Sequence, residues 1–246
     1  MERGREGRTD GRALDEPREI EVIPRFLDGV PGSVLYRSGR TRILAVASLE
    51  EGAPSWLGDD LGWLTAEYAL LPYSTTPRVQ RAREEGRIDG RTREIQRLIG
   101  RSLRASLDRR RMPGYTIRID CDVLQADGGT RTAAICGASI ALGQLTERAL
   151  ADGRFAIDPR VAEVLAVSAG IVAGRPRLDL DYEEDSAAEL DLNLVGTPDG
   201  RLVEIQGSSE SVPIPSELWE ELIALGRRGL ACIAERVAPW MIEIEG

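Results

Sequence analysis

The stretch from residue 119 to residue 134 most narrows what this chain can become. It reads as a strand that runs through Gly128 and Gly129 into the start of a helix, with Thr130 and Arg131 at the mouth. A helix start exposes backbone N–H groups without intrahelical partners and carries the positive end of the peptide dipole. The two glycines let an anion come close to that backbone, Thr130 offers a hydroxyl, and Arg131 adds donors matched to phosphate oxygens. The segment therefore points to a phosphate site, although on these residues alone a plain strand-to-helix turn explains the glycines equally well. A Gly-Lys-Ser/Thr ending is missing and the glycine spacing does not match a dinucleotide fingerprint, which disfavours both of those nucleotide-binding loops.

Positive charge is concentrated just upstream. Between Arg78 and Arg111 lie twelve arginines and five carboxylates, a local excess of seven positive charges in a chain whose net charge is −9, so the remainder carries −16. Such asymmetry suggests a dedicated site for a nucleic acid or another phosphorylated ligand. From 92 to 108, Ile95, Leu98, Ile99, Leu103 and Leu107 recur at helical spacing, with Arg93, Arg97, Arg101 and Arg104 around that stripe. Residues 74–90 read as an exposed arginine-rich loop, and Arg91 stands at the helix start. A solvated, charged helix face accounts for the same pattern.

Seven carboxylates fall between Asp179 and Asp191. Alternation around Leu178, Leu180 and Tyr182, and again around Leu190, Leu192 and Leu194, predicts two strands joined by a tight connection. Strand periodicity puts Glu189, Asp191 and Asn193 on one face, an oxygen-rich set suited to a hard cation such as Mg²⁺. A solvated acidic hairpin fits these residues as well.

Strands are expected near 18–24, 33–37, 41–49, 115–124, 165–173, 177–182, 188–196 and 201–207, and helices near 92–108, 131–151 and 215–236. This mixed order predicts an α/β (α+β) protein, and no low-complexity linker divides the 246 residues, so one domain over 1–246 is expected. With no histidine and no lysine, histidine triads, Schiff-base lysines and a P-loop lysine are excluded. Cys121, Cys136 and Cys232 lack metal or disulfide spacing and read as core residues of a cytosolic protein. No run of about eighteen apolar residues predicts a membrane span, and the first residues lack the apolar stretch of a secretory signal.

Taken in order, Asp-Gly-Arg at 10–12, Gly-Trp-Leu-Thr-Ala-Glu-Tyr at 62–68, Gly-Arg-Thr-Arg-Glu-Ile-Gln-Arg-Leu-Ile-Gly-Arg-Ser-Leu-Arg at 90–104, Asp-Cys-Asp-Val-Leu-Gln-Ala-Asp-Gly-Gly-Thr-Arg-Thr-Ala at 120–133 and Asp-Leu-Asp-Tyr-Glu-Glu-Asp-Ser-Ala-Ala-Glu at 179–189 resemble the ribonuclease PH family. The resemblance runs from about residue 8 to about residue 235 and implies a fold of two β-α units of the ribosomal protein S5 domain 2 type. The implied activity is phosphorolysis, in which orthophosphate removes 3′-terminal nucleotides of RNA, such as tRNA precursors, as nucleoside diphosphates, reversibly as nucleotidyl addition. By this resemblance Arg91, Gly129, Thr130 and Arg131 hold phosphate, Asp185 and Asp191 are catalytic, Asp185, Glu189 and Asp191 surround Mg²⁺ or Mn²⁺, and Arg78 and Arg81 guide RNA. It also implies a cytoplasmic homo-oligomer, a hexamer built as three dimers. The alternative is an inactive RNA-binding ring subunit of an exosome-like assembly.

The chain departs from the family pattern at Glu19, Tyr73, Thr76-Pro77 and 208–211. These departures are expected to bear on RNA guidance and subunit contacts more than on the phosphate pocket.

Overall fold

A computed structural model describes residues 8–80, 89–209 and 212–244. In chain order the elements are β1 (Ile20–Pro24), β2 (Gly32–Ser38), β3 (Thr41–Glu51), β4 (Trp63–Leu70), α1 (Gly90–Arg104), β5 (Tyr115–Gln125), α2 (Thr130–Ala151), β6 (Leu165–Val172), β7 (Arg175–Leu178), α3 (Tyr182–Ser186), β8 (Leu190–Gly196), β9 (Leu202–Ser209) and α4 (Ser216–Val237). The expected α/β architecture is what the chain adopts. A five-stranded sheet has the order β1-β2-β3-β5-β4, antiparallel except for the β4–β5 pair, and a four-stranded antiparallel sheet has the order β7-β6-β8-β9.

Between the sheets runs α2, whose apolar residues are not confined to one stripe. Sixteen of its 22 residues are buried, as a helix apolar all round requires. It touches β2 and β3 on one side and β6 on the other. Small residues permit the approach: a Cβ on Gly137 would stand 3.0 Å from the Cβ of Tyr36. β6 is buried along its whole length because α4 covers it as well. Cys121 and Cys136 lie in this core as free thiols, and burial pushes the Cys136 thiol up to about 12. No described helix is long and apolar enough to cross a membrane.

Three expectations need correction. The strand expected over 177–182 ends at Leu178, and Tyr182–Ser186 is a short helix instead. Its start is a capping box, in which the Asp181 carboxylate accepts from the Glu184 N–H and the Glu184 carboxylate accepts from the Asp181 N–H. The helix expected over 92–108 runs from Gly90 to Arg104, because Asp89 caps it by accepting from the N–H and hydroxyl of Thr92. β4 was not among the expected strands. It forms because Leu64, Ala66 and Tyr68 alternate inward, and all three are buried under α1.

Candidate active site

Several elements converge on the amino end of α2. The preceding turn has Gly128 at φ +71° and Gly129 at φ +60°, the left-handed region that glycine tolerates. Thr41 holds it, accepting from the Asp127 N–H at 2.9 Å and donating to the Gly128 carbonyl at 2.7 Å. Beneath lies a buried ion pair: Arg18 donates from Nη2 and Nε to the two carboxylate oxygens of Asp179 at 2.6 and 3.1 Å, and from Nη1 to the Asp127 carbonyl at 2.7 Å. Burial alone would raise the Asp179 pKa, but the charge and hydrogen bonds of Arg18 outweigh it and hold the carboxyl below its usual range. No side chain caps α2, so its leading amides stay available to an anion.

Tyr68 reaches this mouth from β4. Its hydroxyl donates to the Thr130 hydroxyl at 2.9 Å, and its ring is buried. Burial raises the Tyr68 pKa against the opposing pull of the Thr130 hydrogen bond and of both Arg91 and Arg131, so the phenol keeps its proton. Arg91 is exposed on the first turn of α1, the helix that packs against β4.

A cleft of about 490 Å³ opens beside Arg131, lined also by Glu94 of α1, Asp191 and Asn193 of β8, and Gln206 and Ser208 of β9. Arg131 donates to the Gln206 side-chain oxygen at 3.4 Å and lies 3.8 Å from the Glu94 carboxylate. Asp191 pairs in register with Ser208 across β8 and β9. Gly128 brings α3 to the same place, since a Cβ there would lie within 2.8 Å of backbone atoms of Leu180, Asp181 and Tyr182. Asp185 is exposed on α3.

The acidic segment thus divides by role. Asp179 pairs with Arg18, and Glu184 is buried between Arg8 and Arg177, with bonds of 2.6 to 3.0 Å. Glu189, of the expected metal set, precedes β8, and its carboxylate accepts from the Gly174 N–H at 2.9 Å on the β6–β7 turn. Among the described residues no three carboxylates, histidines or cysteines gather as a metal site. Asp191 lines the cleft and Asp185 is exposed on α3, and carboxylate oxygens of this kind are the hard donors that Mg²⁺ takes beside water and substrate phosphates.

Arg78 is exposed on the loop after β4 without an ion pair among the described residues, and Arg81 lies outside them. The departure at Ser208 lines the cleft itself, beside Arg131 and Asp191, where the expectation put the weight on RNA guidance and subunit contacts more than on the phosphate pocket. Tyr68, Gln206 and Arg18 were not anticipated as site residues. Inward alternation along 64–68 was the available signal for Tyr68, whereas no spacing in the sequence connects Arg18 with Asp179.

Models of the 3′ exoribonuclease family match the chain twice, domain 1 over residues 16–145 and domain 2 over residues 162–229. The chain belongs to this 3′ exoribonuclease family. Within the family it is 50% identical to the Ribonuclease PH of Saccharopolyspora erythraea over 225 residues, 90% of this chain and 89% of the relative. It is 52% identical to that of Nocardia farcinica over 219 residues, 88% and 85% of the two chains. The same 3′ exoribonuclease fold appears in an Archaeoglobus fulgidus exosome solved with RNA bound to the active site, with a TM-score of 0.80, 23% identity and coverage of 94% of this chain and 92% of that one.

Proposed function

We infer that this protein is a phosphorolytic 3′ exoribonuclease and nucleotidyltransferase. The observation that carries this is Arg131 and Asp191 in one cleft at the uncapped start of α2, in a chain half identical to Ribonuclease PH relatives over nine-tenths of its length. An oxygen of orthophosphate attacks the last phosphodiester phosphorus of RNA. The bond to the 3′ oxygen of the penultimate nucleotide breaks, a proton goes to that oxygen, and the terminal nucleotide leaves as a nucleoside diphosphate.

The chain's own residues suit each need of this reaction. Phosphoryl transfer asks chiefly for positioning and for cations around the oxygens that gather charge. The leading amides of α2, the Thr130 hydroxyl and the guanidinium groups of Arg91 and Arg131 orient orthophosphate and offset its charge. Tyr68 fixes the Thr130 hydroxyl. Asp185 delivers the proton to the leaving oxygen, and Asp191 with Asp185 would hold Mg²⁺ or Mn²⁺. Such an ion, when bound, withdraws charge from phosphate and leaving-group oxygens. Exposed Arg78 guides the RNA, for which 3′ ends of tRNA precursors are the proposed source. The proposed assembly is a hexamer of three dimers, a reading favoured by fold likeness to an archaeal exosome core (TM-score 0.76, 22% identity).

The test is product identity. RNA with a free 3′ end should yield nucleoside diphosphates only when phosphate is added; nucleoside monophosphates formed without phosphate would refute the proposal. Arg131→Ala should raise the KM for phosphate about tenfold to a hundredfold, as loss of a charge-assisted hydrogen bond does.

A further inference from the structure

A second basic surface leads away from the cleft along α1. β4 and α1 lie side by side in opposite directions: Tyr68 feels Arg91 at one end, Gly100 lies over Ala66 midway, and at the other end Arg104 donates to the Leu64 carbonyl at 2.9 Å. The thirteen residues from Arg91 to Arg104 span about 20 Å of helix, and the five from Tyr68 to Trp63 span about 17 Å of strand, so the two edges match. Between them runs a groove of about 380 Å³ lined by Thr65, Arg93, Gln96, Arg97 and Arg104, with Gly100 and Ala66 also bordering it.

The groove ends on aromatic side chains. Trp63 lies under the guanidinium groups of Arg104 and Arg109, 4.6 and 5.3 Å from its ring centre. Trp56, on the loop between β3 and β4, stands edge-on to Trp63 with centroids 4.8 Å apart and is 67% exposed. Neighbouring Arg101 and Arg110 are paired, with Glu204 and Asp108. Arg93, Arg97, Arg104 and Arg109 have no carboxylate partner among the described residues. Burial, then the charges of Arg109 and Arg101, lower the pKa of Arg104.

We propose that this groove is a track for the RNA strand upstream of its reacting 3′ end, with Arg93, Arg97 and Arg104 on successive phosphates and Trp56 as a stacking platform for a base. Unpaired arginines in a line, ending on an exposed indole, are the two parts of a single-strand binding surface: a cationic groove for the backbone and an aromatic face that accepts any base. The proposal rests on RNA being the substrate. It adds to the cleft a grip that only a longer RNA can engage.

Binding of a long oligoadenylate, measured by fluorescence anisotropy without phosphate, tests it apart from turnover. Trp56→Ala should weaken binding about tenfold to a hundredfold, and Trp56→Phe should restore most of it. Arg97→Ala should reduce the slope of log affinity against log salt by about 0.7, the share of one single-strand phosphate contact. At saturating RNA both alanine variants should keep the wild-type kcat and phosphate KM. Unchanged affinity and salt slope would overturn the track, and equal losses for Trp56→Ala and Trp56→Phe would overturn the stacking platform. A shift in assembly mass by light scattering without loss of RNA affinity would make this edge a contact between copies, and overturn the RNA track. Normal RNA binding with no nucleoside diphosphate formed would instead refute the phosphorolytic reading alone.

Discussion

Replacing Gly128 with alanine should separate the phosphate seat from α3, and the size of the effect follows from two distinct terms. At φ +71° an alanine is in the left-handed region, which disfavours it by about 1–2 kcal/mol. Its Cβ would also lie 2.6 Å from the carbonyl carbon of Asp181, 2.7 Å from the Leu180 carbonyl oxygen and 2.8 Å from the Tyr182 nitrogen. Reaching ordinary contact near 3.4 Å moves that backbone by roughly 0.6–0.8 Å. Gly153 provides the control, because its φ is +70° and a Cβ there would meet nothing within 4 Å. Gly153→Ala should therefore show the backbone term alone, with a melting temperature a few degrees lower and wild-type activity. Gly128→Ala should be less stable by about 3 kcal/mol or more, roughly 6–12 °C in melting temperature. Its kcat should fall tenfold to a hundredfold, as displacements near 1 Å in a positioned site do. The assay is phosphorolysis at saturating phosphate and RNA, beside a thermal melt of each variant. Equal kcat in the two variants would show that the glycine turn does not set the position of α3 against the phosphate seat.

Asp179→Asn breaks the buried pair with Arg18 and should lower stability by about 3–5 kcal/mol at neutral pH. The folded Asp179 pKa is depressed, so its contribution is present above the unfolded value of about 3.9 and fades as pH falls through the lower folded value. Urea titrations should show the gap between variant and wild type closing below about pH 4; a gap that stays constant into acid would refute this. Tyr68→Phe removes the hydrogen bond to Thr130 and should raise the phosphate KM about threefold to tenfold with kcat little changed, and an unaltered phosphate KM would count against Tyr68 as a positioning residue. Asp191→Asn should reduce kcat and metal dependence sharply while Glu189→Gln stays near wild type in the same assay, because the Glu189 carboxylate is engaged at Gly174. Equal losses in the two variants would return Glu189 to the site.

Much of the fold could be read from local pattern. The long apolar run after Arg131 became the central helix, and alternation around Leu190, Leu192 and Leu194 became β8. Failures arose where short signals compete. Leu178, Leu180 and Tyr182 imitate a strand, yet Asp181 and Glu184 stand at capping-box spacing, and two reciprocal hydrogen bonds outweighed the alternation. The glycine turn into α2 was legible because glycine, threonine and arginine are contiguous there. The cleft was less so: Arg131, Asp191 and Ser208 come from three elements whose neighbours are set by strand order, and β4 pairs parallel to β5 across a connection of more than forty residues. Carboxylates that look alike in sequence also diverge once partners are fixed, since Asp179 and Glu184 turn to buried arginines and Asp185 stays exposed.

The seating of α2 between both sheets limits how such a protein can diversify. Tilting that helix to retune its proposed anion-binding tip would drive Gly137 into Tyr36 and disturb every layer at once. Altered preference for one transcript over another is instead available away from that helix, at residue 208 on the far wall of the cleft and, if the proposed track holds, at the arginines facing β4 and the loop bearing Trp56. Changes there leave the packing of α2 untouched.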